Sequence, residues 1–339
     1  MSRTKPIPLL KLPDLMLEMV LARATVAEKF SISTCSQNSF QIVKDQLHRE
    51  KFKLSLETEK AAIYITSTDL KLTIIADKGK WYEFEDGQEE NHKGYIQGTR
   101  FNQKSRGSFI RTFWADRNSG VKLLLGHLTR LFSTPIDSVF YSDFSEMIYN
   151  DPLDILKSIN NLQDSLQTVA LHLTRLPDDY YGKIFNELQF VKNLHIRHLA
   201  TGNYFEDNDQ RIWKHDELKI DDGYWITTGR LLTMNCKILI IEESNLFAPD
   251  INKYLKYWVR GSFPNLEQLY INGNGLTVSR VLVGIKHLSN PGRVLGVQDR
   301  NDYRRKRSTT PVDIRRCDGT IGTLFISKGN YDVNFIVWK

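Results

Sequence analysis

Two histidines three residues apart, His195 and His198, are the residues whose type and spacing come nearest to a metal pair. Zinc takes neutral imidazoles, and two on one face supply half of a tetrahedral site. These two fall in the run VKNLHIRHL, which reads as a strand, and strand residues three apart point to opposite faces. They are read as structural. Three cysteines stand alone, Cys35, Cys236 and Cys317. Cys35 lies on an apolar helical face and Cys236 at a repeat's core position, so both are expected to be buried and inert. Cys317 follows Arg315 and Arg316, whose charge would favour a thiolate. No histidine lies near it in sequence to complete a nucleophile–base pair, and a turn residue is the plainer reading. The acid pairs Asp178-Asp179 and Asp221-Asp222 read as capping or turn residues, and EDGQEEN as a solvated loop. The chain contains no phosphate loop, no G-x-S-x-G elbow and no H-E-x-x-H zinc helix. No catalytic centre, metal or cofactor is expected.

With 339 residues, 41% hydrophobic and 25% charged, the composition is that of a soluble globular protein with room for more than one domain. No apolar run has the length of a membrane span. Arg3 and Lys5 precede an apolar patch, but Lys11, Pro13, Asp14 and Glu18 interrupt it, which argues against a cleaved signal. Unpaired cysteines and the lack of an N-x-S/T acceptor fit a cytoplasmic or nuclear setting. The net charge of +6 gathers most densely at Arg304, Arg305, Lys306 and Arg307. Asp302 and the run Ser308–Pro311 around it make a solvated loop the first reading. A nucleic-acid contact or a nuclear-import signal is the alternative.

The structural elements must account for a surplus of grease near the start. Pro13 suits a helix's first turn, and Leu17, Val20, Leu21 and Ala24 recur at helical spacing with Met16 beside them. Thr25 with Glu28 forms a capping-box pattern for a second helix carrying Val26, Phe30 and Ile32. Ser36 can cap a third, with Phe40, Val43 and Leu47. Three such helices are too few to shelter Leu9, Leu10, Leu12, Leu17 and Leu21 by themselves, so a later segment or a partner must cover them.

From Lys51 the period changes to two. FKLSLETE, AAIYITS, LKLTIIAD and WYEFED read as strands of a small antiparallel sheet, and Gln88–Ser108 as a long loop or ragged hairpin. Beyond Gly120 an L-x-x-L-x-L frame recurs. It runs through Ile136, Val139, Tyr141; Leu166, Val169, Leu171; Val191, Leu194, Ile196; Leu218, Ile220; Cys236, Leu239, Ile241; and Leu266, Leu269, Ile271. Asn274 stands where a leucine-rich repeat has its ladder asparagine. PLDILKSINNLQ, YYGKIFNELQFV and INKYLKYWVRG lie between as helices, with Asp250 to cap the last and Gly261 to end it. An irregular leucine-rich-repeat-like domain is expected, or else βα units in no solenoid order. Asp318-Gly319 signals a hairpin, and Phe335, Val337 and Trp338 close a strand.

The run PLLKLPDLMLEMVL…VAEKFSISTCSQNSFQIVK resembles an F-box of the nematode type, through Leu12-Pro13, Val20-Leu21, Phe30, Ser33-x-Cys35-Ser36 and Ile42-Val43. LLTMNCKILIIEESNLFAPDINKYLKYWVRGSFPNLEQLYI and VDIRRCDGTIGTLFI…FIVW resemble the F-box-associated domain, type 2, of the same proteins. The resemblance implies an α+β or α/β chain in three parts. These are a three-helix F-box over 5–50, an antiparallel β segment and loop over 51–115, and a leucine-rich-repeat-like substrate-recruiting domain over 120–339 that ends in a hairpin. It further implies a non-catalytic adaptor of an SCF-type ubiquitin ligase. Leu12, Pro13, Leu17, Val20, Leu21 and Phe30 would face the Skp-type linker, through it a cullin, and the C-terminal domain would hold a protein substrate. A nucleic-acid-binding module using Arg304–Arg307 is the alternative function.

Overall fold

A computed structural model describes residues 9–47, 51–68, 71–78, 90–97, 99–106, 108–142, 152–173, 183, 186–199, 212–289, 311–327, 329 and 331–338. The chain there is mixed α/β, with eight α-helices among the described residues, and it divides into two units, Met1–Gln167 and Thr168–Lys339.

The first unit opens with a 3-10 turn, Leu9–Lys11, and three helices, α1 (Asp14–Arg23), α2 (Val26–Ser33) and α3 (Gln37–Leu47). Pro13 is the N-cap of α1: its carbonyl accepts the Leu17 N–H, the helix's first bond. Thr25 and Glu28 close the capping box that starts α2, with the Glu28 N–H on Thr25 Oγ1 at 3.2 Å and the Thr25 N–H on Glu28 Oε2 at 2.7 Å. Ser36 and Ser39 cap α3 by the same exchange, each backbone N–H donating to the other's hydroxyl.

Strands β1 (Lys53–Glu57), β2 (Ala62–Thr66) and β3 (Lys71–Lys78) form the expected antiparallel meander. Where a loop or ragged hairpin was expected, β4 (Glu90–Ile96) pairs with β5 (Thr99–Arg106) in antiparallel fashion, and β6 (Phe109–Trp114) pairs with β5. WYEFED lies outside the described residues. The sheet is mixed, however, where a purely antiparallel one was expected. β6 runs parallel to β3, with Ile74 opposite Ile110, and β7 (Ile136–Ser142) runs parallel to β1. A parallel neighbour needs a crossover, which helix α4 (Arg117–Leu131) supplies between β6 and β7. Asp116 caps α4, its carboxylate accepting the Ser119 N–H at 2.8 Å. Helix α5 (Pro152–Asn160) packs on α4. The strand order is β7-β1-β2-β3-β6-β5-β4.

The second unit takes all but the first two residues of β8 (Leu166–Leu173), then β9 (Val191–Leu199), β10 (Glu217–Ile220), β11 (Ile238–Ile241) and β12 (Gln268–Asn272). β9 to β12 are parallel and in register, so the apolar frame stacks in two rungs: Leu194, Leu218, Leu239 and Leu269, then Ile196, Ile220, Ile241 and Ile271. All eight are fully buried. Short helix α6 (Thr228–Leu231), helix α7 (Ala248–Val259) and α8 (Val278–Val281) lie between strands. Asp250 sits in the first turn of α7, not at its cap, and reaches back to accept the Phe247 N–H at 2.8 Å. Gly261, at φ 102°, ends that helix in the left-handed region as expected.

The stack of parallel rungs stops at β12. Its next neighbour, β16 (Asp332–Trp338), is antiparallel, and β15 (Ile321–Ile326), β14 (Val312–Arg315) and β13 (His287–Ser289) continue outward as an antiparallel meander. Asn274 therefore serves no buried ladder; it is exposed, with its backbone N–H on the Leu246 carbonyl. The Asp318-Gly319 turn joins β14 to β15, with Gly319 at φ 91°. In β15, Gly322 lies under the Phe335 ring, which a Cβ would overlap. Gly322→Ala is expected to destabilise the chain by about 1–3 kcal/mol, read from the denaturant midpoint, because the displaced ring also packs edge-on against buried Trp258.

Candidate functional site

Helix α1 is apolar on two faces. Leu17 and Leu21 are buried, and α1 packs through that side on α3. Leu15, Met16, Met19 and Val20, at 71%, 55%, 54% and 44% exposure, form the opposite side. Their spacing of i, i+1, i+4 and i+5 places them on one continuous helical surface. Four large apolar side chains next to one another on one helix make a patch, where single exposed hydrophobics are ordinary.

The cluster of helices is anchored on α4 through a buried polar contact ringed by aromatics. His127 stands edge-on to Phe30 and Phe40, with ring centroids 5.8 and 5.1 Å away. Its Nε2 lies 2.9 Å from Ser33 Oγ, and that hydroxyl donates its only proton to the Phe30 carbonyl at 2.7 Å. Nε2 must then be the donor to Ser33, which fixes the neutral tautomer. Burial, aided by the nearby Arg130 charge, pushes His127 down to about 4. The Arg130 guanidinium lies over the Phe40 ring, and the Tyr95 N–H donates to the Thr34 carbonyl at the end of α2.

The six residues expected to face a partner fall into two groups. Pro13 and Val20 are exposed and Leu12 is half-buried. Leu17, Leu21 and Phe30 are covered by the chain itself, because α3 and α4 supply the outside surface that the short helices lack. Leu15, Met16 and Met19 take the outward places that sequence reasoning gave to the buried stripe. Their signal was present: apolar residues on both sides of the Leu17–Leu21 line mean a helix with two buried faces, or one buried and one unpartnered.

The other candidate groups resolve into surface networks. His195 Nε2 lies 2.8 Å from Asp221 Oδ2, and Lys219 Nζ lies 2.8 Å from Asp221 Oδ1, across the registered strands β9 and β10. Burial lowers His195 in spite of that carboxylate, and the two partners hold Asp221 below its ordinary value against its own burial. Asp221 thus sits in the bend just after β10, as a turn residue that is also ion-paired. The side chain of His198, the pair Asp178-Asp179 and the basic cluster Arg304–Arg307 lie outside the described residues. Among the described residues no group of three or more His, Cys, Asp or Glu could hold a metal ion. Cys236 is buried, which pushes its thiol up to about 12. Cys35 is exposed, contrary to expectation, because it lies past the end of α2 where the chain turns toward α3. Cys317 is exposed, with its backbone N–H on the Val259 carbonyl.

The F-box associated family model matches residues 209–271, the stretch that carries β10, β11, α7 and β12. The Skn-1 dependent zygotic transcript 15 protein of Caenorhabditis elegans is 20% identical over 333 residues, covering 93% of this chain and 92% of that one. The F-box associated domain-containing protein sdz-33 of the same organism is 21% identical over 286 residues, covering 80% of each. No solved structure matches the chain.

Proposed function

For a chain that carries an F-box associated domain of the nematode kind, we propose the role of a non-catalytic, substrate-recruiting adaptor in an SCF-type ubiquitin ligase. The three N-terminal helices act as the F-box and dock on a Skp-type linker, and through it on a cullin. The second unit holds the protein substrate. Ubiquitin transfer belongs to the partner enzymes, and this chain contributes proximity, which raises the effective concentration of the substrate at the reaction centre.

One observation carries this reading: α1 keeps one apolar side for its own chain and leaves Leu15, Met16, Met19 and Val20 uncovered. With exposed Pro13 and half-buried Leu12 just ahead, these residues form the docking edge. Leu17, Leu21 and Phe30 hold the edge in place from beneath.

The test is capture of a purified Skp-type linker by the full chain. Leu15→Glu combined with Met19→Glu is expected to weaken capture by about 2 kcal/mol or more, because an unpaired charge would be forced into an apolar interface. Both side chains are exposed, so the thermal midpoint should stay at the wild-type value. Replacing Leu12 and Pro13 together with Ala should also reduce capture. A folded Leu15→Glu, Met19→Glu protein that captures the linker as wild type does would end the adaptor reading.

A further inference from the structure

The parallel strands of the second unit end in a row of loops stitched to one another by backbone bonds. After β10, the Gly223 N–H donates to the Glu242 carbonyl, and Asn245 Nδ2 donates to the Tyr224 carbonyl at 3.1 Å. After β11, Phe247 bridges Asn274 in parallel fashion, and the Asn274 N–H donates to Leu246. After β12, the Gly273 N–H donates to the Tyr331 carbonyl at the mouth of β16. Three exposed aromatic side chains, Tyr224, Phe247 and Tyr331, thus stand on successive rungs of one rim. Open α/β sheets bind their ligands at the carboxyl ends of the strands, where loops are free to vary while the strands hold them.

The charge of this rim runs against that of the chain. Asp222 lies in the loop that carries Tyr224, and Glu242 and Glu243 in the loop that carries Phe247, whereas the chain as a whole carries +6. Asp221 and Lys219 neutralise each other, and Arg280 reaches Gly275 in the loop after β12. Aromatic faces attract cations, most strongly guanidinium groups, and carboxylates beside them add long-range attraction. A phosphate-bearing strand would meet repulsion instead.

We infer that this rim is the substrate-docking surface of the second unit, and that its occupant is an extended protein segment carrying arginine or lysine between aliphatic residues. Aliphatic side chains would pack between the rings of Tyr224, Phe247 and Tyr331, and the cations would lie across those rings toward the carboxylates. The inference rests on the adaptor reading for its biological role only. The binding chemistry stands without it.

The probe is a fluorescein-labelled peptide of repeated Arg-Leu-Gly units, titrated by anisotropy with the full chain beside a Glu-Leu-Gly peptide of equal length. The arginine peptide is expected to bind at low salt and the glutamate peptide not to. Tyr224→Ala with Phe247→Ala should weaken the arginine peptide by about tenfold or more. Glu243→Lys, which leaves the rings in place, should weaken it several-fold, and a circular-dichroism melt confirms that both variants fold. Equal binding of the two peptides, no binding of the arginine peptide, or binding that neither variant changes would overturn the inference. Linker capture by the same preparations separates the two readings. The rim variants should capture normally, and the Leu15→Glu, Met19→Glu protein should keep its peptide affinity. Peptide binding with no linker capture by the wild type would sink the adaptor reading and leave the rim standing.

Discussion

Phe30→Ala is expected to cost about 4 kcal/mol of stability, as large as any single truncation in the first unit. The ring is fully buried between α3 and α4, in the company of Val43 and Leu47, which are also fully buried. Truncation removes the transfer energy of the ring and leaves a cavity whose walls cannot close in. One wall is His127, held in place by its hydrogen bond to Ser33. Ser33 and Phe30 share one helix, so collapse of the backbone toward the void would break the bond that positions the imidazole. Chemical denaturation of the full chain measures the loss. Phe30→Leu keeps most of the volume and should cost less than about 1.5 kcal/mol. A loss below about 1 kcal/mol for Phe30→Ala would mean that the helices are not anchored through this residue.

What could be read in advance follows the physics of each signal. The capping box at Thr25 and Glu28, the Ser36 cap and the glycine stop at Gly261 are local, so a few adjacent residues carry them whole. The rungs through Leu194, Leu218, Leu239 and Leu269 were legible because the last two positions of each frame point into one core and the period repeats. The parallel partners of β1 and β3 were not. Strand direction depends on what lies between two strands, and the alternating pattern of β6 is the same whichever way it runs. Helix α4 is amphipathic with a capping aspartate, but Gly120, Gly126 and His127 within it dilute the apolar stripe. His127 was invisible as an anchor for a different reason: its partners Phe30, Ser33 and Phe40 lie some ninety residues earlier. The exposed apolar side of α1 was half legible. Composition announced the surplus of apolar side chains on α1, and only packing could say which of them the chain keeps for itself. The rim of Tyr224, Phe247 and Tyr331 had no sequence signal, because its members come together through three separate loops.

Acid should loosen the first unit through His127, by about 3 kcal/mol. The folded chain holds this imidazole neutral and pushes it down to about 4, whereas in the unfolded chain it protonates near its ordinary value of about 6.5. Between those values the unfolded state binds a proton that the folded state refuses, so stability rises with pH across the window. The contribution is whole above about pH 6.5, falls by about 1.4 kcal/mol for each unit below it, and is gone near pH 4. Protonation is refused for a structural reason: Phe30 and Phe40 wall the ring, Arg130 adds a like charge nearby, and Ser33 needs only the proton that Nε2 already carries. His195 and His215 are also lowered by burial and add slope of the same sign. The comparison must therefore be made between two profiles. His127→Gln can still donate toward Ser33 without titrating, and its stability, lower at neutral pH, should fall less steeply between pH 6.5 and 4. The gap between wild type and variant should narrow by about 3 kcal/mol across that interval. Parallel profiles would show that the imidazole is solvated in the folded chain, and that the aromatic wall around it is open.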